Sequence, residues 1–254
     1  MIAFQLVKFR YHITFSNVVA GALLFASELN WVLAERLVAL YLSFNVLLYS
    51  GLYTLNDLAD RASDAAHPLK RHRPIASGRV TVRRAVVWTV VFLSAGLGTG
   101  AWFGTPILSC YVAVIAINLV YSAGGRNVVY LDVLLNGLPH VVRFLMGALL
   151  VMRRPPLTHL IAFLCVTVAF SCLRRRVELD VAGWEARQSL QAWSVATLNR
   201  VMMSALVAFL LLAAWKGAEA PGFYVVIGGT AAVLIGGAHT SRRIRQCLRW
   251  VWTQ

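Results

Sequence analysis

The chain has 254 residues, of which 59% are hydrophobic and 13% charged, and its formal net charge is +14 at pH 7. Apolar runs of membrane-spanning length recur along it, which excludes an ordinary soluble protein and predicts an all-α, polytopic membrane helical bundle. A charge of this size could indicate nucleic-acid binding, but the basic residues concentrate in alternate loops, as the positive-inside rule requires. We therefore expect no nucleic-acid partner, and anionic lipid or phosphate instead.

Hydropathy predicts about eight transmembrane helices in two four-helix halves. The expected spans are 13–34, 37–55, 85–103, 106–121, 131–152, 157–173, 199–215 and 222–239. Most Lys and Arg fall at the chain ends and in the loops after even-numbered spans, so both termini and the charged loops are predicted to be cytoplasmic. Residues 1–254 are interpreted as a single transmembrane domain of a bacterial plasma membrane. Whether it forms a homo-oligomer is left open.

Acidic residues cluster in the first charged loop, 56–84, at the end of the second span. Asp57, Asp60 and Asp64 are spaced i, i+3 and i+7, which would place them on one helical face. Together they would cost on the order of 8–10 kcal/mol if they faced lipid, so we expect them to face a wet cavity. Mg²⁺ would relieve their mutual repulsion, because it prefers one or two carboxylates plus phosphate oxygens. The spacing therefore predicts a metal site.

Basic side chains follow these acids in the same loop. Lys70, Arg71 and Arg73 provide cations, and a guanidinium suits bidentate contact with a phosphate group. We expect a diphosphate to be held from two sides, through metal and through arginine. The alternative is a solvated loop whose basic residues only determine topology.

Two further features lie outside this loop. Arg143 falls inside a predicted span, and an intramembrane arginine is a functional candidate by default. Asp132 is interpreted either as its partner or as a contact to a substrate hydroxyl. The tail, 239–254, combines four arginines with two tryptophans and is predicted to be a basic interfacial segment on the inner leaflet.

The segment Asn56–Gly78, NDLADRASDAAHPLKRHRPIASG, resembles the first signature of the UbiA superfamily of intramembrane prenyltransferases. Its basic part is similar, more particularly, to the decaprenyl-phosphate phosphoribosyltransferase branch. The resemblance extends from about residue 5 to residue 215. Its other matching positions are Tyr121, Arg126, Asp132, Arg143, Gly147, the run Arg174–Leu179 and the run Arg187–Leu190. The superfamily typically has nine spans, one more than hydropathy predicts here.

The resemblance implies a UbiA-type bundle that depends on Mg²⁺ and takes either phosphoribosyl diphosphate or a prenyl diphosphate, with a lipid-linked isoprenoid phosphate as a partner. The implied catalytic residues are Asp57, Asp60, Lys70 and Arg73, and the implied metal ligands are Asp57, Asp60 and Asp64. The implied substrate-binding residues are Asn56, Arg71, Tyr121, Arg126, Asp132, Arg143, Arg174, Arg175, Glu178 and Arg187.

The second charged loop, 174–198, distinguishes between the two donors. Aromatic prenyltransferases of this superfamily carry a second Asp-rich motif there, whereas this loop has Glu178, Asp180 and Glu185 among four arginines. An arginine-rich site suits an anion bound without metal, such as a lipid monophosphate. The sequence thus favours transfer of phosphoribose to a polyprenyl phosphate. Prenyl transfer to an aromatic acceptor is the alternative, and a non-enzymatic membrane carrier is a remote one.

Overall fold

The computed structural model describes residues 6, 9–66, 70–181, 190 and 192–253, and every regular element in them is helical. Seven of the described helices are long and apolar enough to cross a membrane. The predicted all-α polytopic bundle is therefore confirmed. The helices are α1 (Ser16–Phe25), α2 (Trp31–Ala59), α3 (Arg61–Ala66), α4 (Val82–Trp102), α5 (Thr105–Ser122), α6 (Leu131–Leu150), α7 (Leu157–Val181), α8 (Val195–Lys216), α9 (Pro221–Thr240) and α10 (Arg242–Thr253).

The first predicted span, 13–34, is too long. Helix α1 already ends at Phe25, so its 10 residues are fewer than the about 20 that cross a bilayer core. Helix α2 begins at Trp31, because Asn30 has extended backbone and its side chain accepts a hydrogen bond from the Leu33 amide at 3.0 Å. This is an N-cap, which starts a new helix. A hydropathy window averages across such a cap and joins the two helices.

Contacts divide the chain into two compact units. Unit 1 comprises Met1–Asn118 and Met146–Arg153, and unit 2 comprises Leu119–Leu145 and Arg154–Gln254. A single domain over 1–254 stays a prediction.

Small residues bring helices α2 and α4 together in unit 1. A Cβ atom added at Gly51 would lie 2.8 Å from Leu93, and one added at Gly96 would lie 2.8 Å from the Leu48 backbone. Such glycines let membrane helices approach closely, since no hydrophobic effect drives their association within lipid. The close contact fixes the path of α2, whose last turn carries Asp57.

Gly147 provides the tightest such contact in unit 1. A Cβ atom there would lie 1.9 Å from the Val18 carbonyl oxygen, so Gly147→Ala requires the α1 backbone to move. We expect Gly147→Ala to destabilise the protein by about 1–3 kcal/mol, measured by thermal unfolding in detergent. Gly229→Ala is the matched control, because no atom lies within 4 Å of its added Cβ. Equal stability of the two variants would contradict the close packing of α1 on Gly147.

In unit 2, the interface between helices α6 and α7 is aromatic at one end and polar at the other. Near the end of α6, Phe144 stacks on Phe163 with ring centroids 4.5 Å apart. Closer to its start, the Asn136 amide donates to the Ser171 hydroxyl at 3.0 Å. The interface thus changes from aromatic to polar towards Asp132, which lies in the first turn of α6.

Candidate functional site

An ion triad in unit 1 joins the end of α2 to the loop that follows it. Nη1 of Arg73 donates to Oδ1 of Asp57 at 3.1 Å and to Oδ2 of Asp64 at 2.8 Å. Both carboxylates are buried, with 5% and 2% of their surface exposed, whereas Arg73 remains partly exposed. Burying two carboxylates is costly unless a cation compensates them, and here one guanidinium serves both.

The loop places Arg73 through two apolar anchors and a tight turn. Ile75 and Val80 are buried in a cluster with Phe92 of α4. The Ser77 hydroxyl donates to the Arg73 carbonyl oxygen at 2.7 Å, and Gly78 has a φ of +77°, a conformation that other residues rarely adopt. The backbone that follows Arg73 is therefore held in place, which helps to keep its side chain on the aspartates.

The helix is interrupted at Asp60, contrary to the expectation of one continuous acidic face. Asp60 follows the last residue of α2 with φ −88° and ψ 4°, and α3 starts at Arg61. Asp57 and Asp64 therefore meet across a helix break, and Asp60 lies at the junction, partly exposed. Nζ of Lys70 lies 3.9 Å from Asp64.

Two further predicted contacts belong to this loop: Asn56 lies at its start and Arg71 near its middle. Asn56 is partly buried in the last turn of α2, and its carbonyl oxygen accepts from the Asp60 amide at 2.9 Å. Arg71 is exposed, and its Nε lies 3.4 Å from the His72 ring. Their roles in substrate binding stay predictions.

The aspartate pair has the chemistry of a magnesium site. Two carboxylate oxygens already converge on a single cationic atom, Nη1 of Arg73. Within the described residues no three or more His, Cys, Asp or Glu side chains are grouped closely enough to hold a metal. Mg²⁺ commonly takes only one or two protein carboxylates and completes its shell with water and phosphate oxygens. The residues present therefore fit the predicted metal, with substrate oxygens as the further ligands.

A second ion cluster lies in unit 2 around Arg175 of α7. Its Nε and Nη2 donate to the two oxygens of Asp132, both at 2.6 Å, and its Nη1 donates to Glu178 at 2.5 Å. Nη2 also lies 3.3 Å from the hydroxyl of Tyr121. Four of the five N–H groups of Arg175 are therefore engaged by protein groups, and its contact with substrate stays a prediction.

The structure assigns Asp132 a partner that the sequence did not suggest. Arg143 lies eleven residues further along the same helix, roughly 16 Å away at 1.5 Å per residue, whereas Arg175 binds Asp132 directly. Arg143 itself is buried, and Arg126 lies partly exposed in the turn before α6.

The second charged loop starts later than expected, because α7 continues to Val181. Arg174 donates to Glu178 at 2.9 Å, four residues along, and this pairing supports helix over the first residues assigned to the loop. Arg187 lies outside the described residues.

Sequence reasoning missed one further connection in unit 2. Nη1 of Arg176 donates to Asn199 of α8 at 3.0 Å and contacts Nε2 of His239 of α9 at 2.7 Å. The three residues are far apart in the chain, and no periodic pattern links them.

The fold and these clusters define an integral membrane helical bundle with two sets of buried ion pairs. The model of the UbiA prenyltransferase family matches residues 15–250. The chain belongs to this family.

Two individual proteins resemble part of the chain. The chain is 30% identical over 163 residues to nodulation protein NoeC of Azorhizobium caulinodans, covering 63% of this chain and 53% of that protein. It is 30% identical over 179 residues to a decaprenyl-phosphate phosphoribosyltransferase of Mycobacterium tuberculosis, covering 66% and 57%. The chain thus spans little more than half the length of these relatives.

Among solved structures, a UbiA homolog from Archaeoglobus fulgidus bound to GPP and Mg²⁺ superposes with a TM-score of 0.78 at 15% identity. The superposition covers 100% of this chain and 96% of that one. Because the sequence identity is only 15%, this likeness establishes the fold and nothing more.

Proposed function

We propose that the protein transfers phosphoribose from phosphoribosyl diphosphate to a polyprenyl phosphate. The observation that carries this proposal is the Arg175 cluster, in which Asp132 and Glu178 are both neutralised by one arginine. A second divalent metal here would have to displace Arg175, which is buried and holds both oxygens of Asp132, whereas Arg73 in unit 1 is partly exposed and can turn away from its aspartates. The likeness to a mycobacterial decaprenyl-phosphate phosphoribosyltransferase supports the same choice.

The donor diphosphate is assigned to the triad in unit 1. Asp57 and Asp64, with Asp60 as the third predicted ligand, would hold Mg²⁺, as expected from the sequence. Bound there, Mg²⁺ would neutralise diphosphate charge as a Lewis acid. Arg73 lies between the two carboxylates and would turn from them towards a diphosphate oxygen when the donor binds. Its charge would therefore be paired both without and with bound donor. Lys70 and Arg71 provide additional cations.

The reaction breaks the bond between ribose C1 and the diphosphate oxygen and forms one between C1 and an acceptor phosphate oxygen. Diphosphate leaves with the bonding electrons, and Arg73 stabilises its developing charge by hydrogen bonds aimed at the leaving oxygens. The acceptor is already anionic at neutral pH, so no side chain has to remove a proton.

The acceptor phosphate is assigned to arginines of unit 2. Arg174 is 31% exposed and Arg126 is partly exposed, so their guanidiniums are accessible, whereas Arg175 is buried and bound to Asp132 and Glu178. Arg143 and Arg187 remain proposed contacts. The proposal places both clusters on the cytoplasmic side, where the distribution of basic residues predicts them.

Prenyl transfer is the second candidate, favoured by the fold shared with a homolog that binds GPP and Mg²⁺. It uses the same aspartate pair and differs in its donor.

The deciding experiment is a paired assay of purified protein in detergent with Mg²⁺. One reaction contains labelled phosphoribosyl diphosphate and decaprenyl phosphate, and the other contains labelled prenyl diphosphate and aromatic acids. We expect label in lipid from the ribose donor alone. Incorporation from the prenyl donor alone would overturn the proposal in favour of the second candidate.

A further inference from the structure

A groove in unit 2 lies on the surface between the turn before α6 and the start of α8. Its volume is about 560 Å³, within the ~300–1,000 Å³ typical of ligand sites. The groove is lined by Tyr130, Thr197, Arg200, Val201, Ser204 and Ala205. None of these residues belongs to the Arg73 triad or to the Arg175 cluster.

The wall of the groove is polar and basic over the first three turns of α8. Thr197, Arg200 and Ser204 follow one another at helical spacing, and none of the described residues that line the groove is acidic. Among the described residues, the hydrogen bond recorded for the Arg200 guanidinium is a long one, 3.4 Å to Thr197. Most of its donors therefore remain available to an anion.

Two features at and behind Tyr130 also indicate a ligand. Tyr130 has a φ of +68°, which is rare for a residue with a side chain and occurs preferentially at functional sites. The Trp193 indole packs edge-on against the Tyr130 ring, with centroids 5.1 Å apart. Trp193 is buried, and its N–H has no acceptor within the described part of the chain, although a buried indole N–H usually has one.

The same helix face becomes apolar beyond the groove. Val207, Leu211 and Trp215 continue it along α8, and each is about half exposed or more. From Ser204 to Trp215 this apolar track runs roughly 16 Å at 1.5 Å per residue. A polar head site followed by a single apolar track matches a lipid with one phosphate and one long chain.

We propose that this groove docks the polyprenyl phosphate acceptor, with its phosphate on Arg200, Thr197 and Ser204 and its chain along the apolar face of α8. The assignment rests on the proposed function and names the place where the acceptor enters from the bilayer. Tyr130 is two residues from Asp132, and the groove is a docking position from which the phosphate moves to the Arg174 and Arg126 contacts for transfer.

The test is binding of tritiated decaprenyl phosphate to the full-length protein in nanodiscs, without donor. We expect Arg200→Gln to weaken binding at least about 10-fold, since it removes a charge-assisted contact. Ala205→Phe, which fills the groove without changing charge, is expected to weaken it similarly. Arg84→Gln is the matched control, because Arg84 also lines a groove at the start of a membrane helix. We expect it to bind as wild type does.

Competition identifies the ligand. Unlabelled decaprenyl phosphate should displace the probe, whereas phosphatidylglycerol and inorganic phosphate should not. Wild-type binding by both groove variants, or equal displacement by either competitor, would overturn the assignment.

Kinetics separates this proposal from the proposed function. If phosphoribosyl transfer occurs, Arg200→Gln should raise the KM for decaprenyl phosphate and leave that for phosphoribosyl diphosphate unchanged. If transfer occurs but Arg200→Gln changes neither binding nor KM, the docking site is refuted and the proposed reaction stands. Arg200-dependent binding without transfer would refute the proposed reaction alone.

Discussion

Replacing Asp57 with asparagine is expected to reduce the transfer rate by about 100- to 1,000-fold while the protein remains folded. Asparagine has nearly the same shape as aspartate but lacks the charge needed to bind a divalent cation. Arg73 still has Asp64 as a partner at 2.8 Å, so the loop keeps its anchor. The measurement is single-turnover transfer from labelled donor, together with the Mg²⁺ concentration that gives half-maximal rate.

Glu219→Gln is the control for this prediction. Glu219 is 59% exposed and pairs with Lys216 on the surface, so loss of its charge should change neither rate nor Mg²⁺ dependence. An Asp57→Asn variant with wild-type turnover would remove Asp57 from the metal site and leave the triad a structural role only.

Replacing Arg175 with methionine is expected to destabilise unit 2 by about 3–5 kcal/mol. The substitution keeps much of the side-chain volume but leaves Asp132, which is fully buried, without its bidentate partner. It also removes the 2.5 Å contact to Glu178. Breaking one side of a buried pair is costly because the remaining charge stays in a medium that solvates it poorly. Thermal unfolding in detergent should show a fall in Tm of the order of 10 °C.

Arg174→Met provides a control of the same residue type one position earlier. Arg174 makes a single, partly exposed contact with Glu178, so we expect a loss of about 0–1 kcal/mol. The double variant Arg175→Met with Asp132→Asn should recover part of the lost stability, since it removes the uncompensated charge. If Arg175→Met unfolds at the same temperature as Arg174→Met, the pair does not stabilise the α6–α7 interface.

The class of protein and most of its spans could be predicted from composition and local order alone. A helix that spans a bilayer core needs about 20 consecutive apolar residues, and such runs are visible directly in the sequence. The first span was predicted wrongly, because the polar stretch that ends at Asn30 is short enough for a hydropathy window to average it away. The Asn30 cap is itself a local signal that could have shown the break.

The sequence by itself determined which residues carry charge near the membrane, and the tertiary structure decided their partners. Arg73 stays a predicted phosphate ligand, and only the folded chain shows that it pairs with Asp57 and Asp64. Arg175 and Asp132 are 43 residues apart and meet only because α6 packs on α7. Helical periodicity describes neighbours three or four residues apart, whereas ion pairs between helices depend on how whole helices pack. Side-chain pairing within the membrane is therefore a property of the packed helices and cannot be read from spacing along the chain.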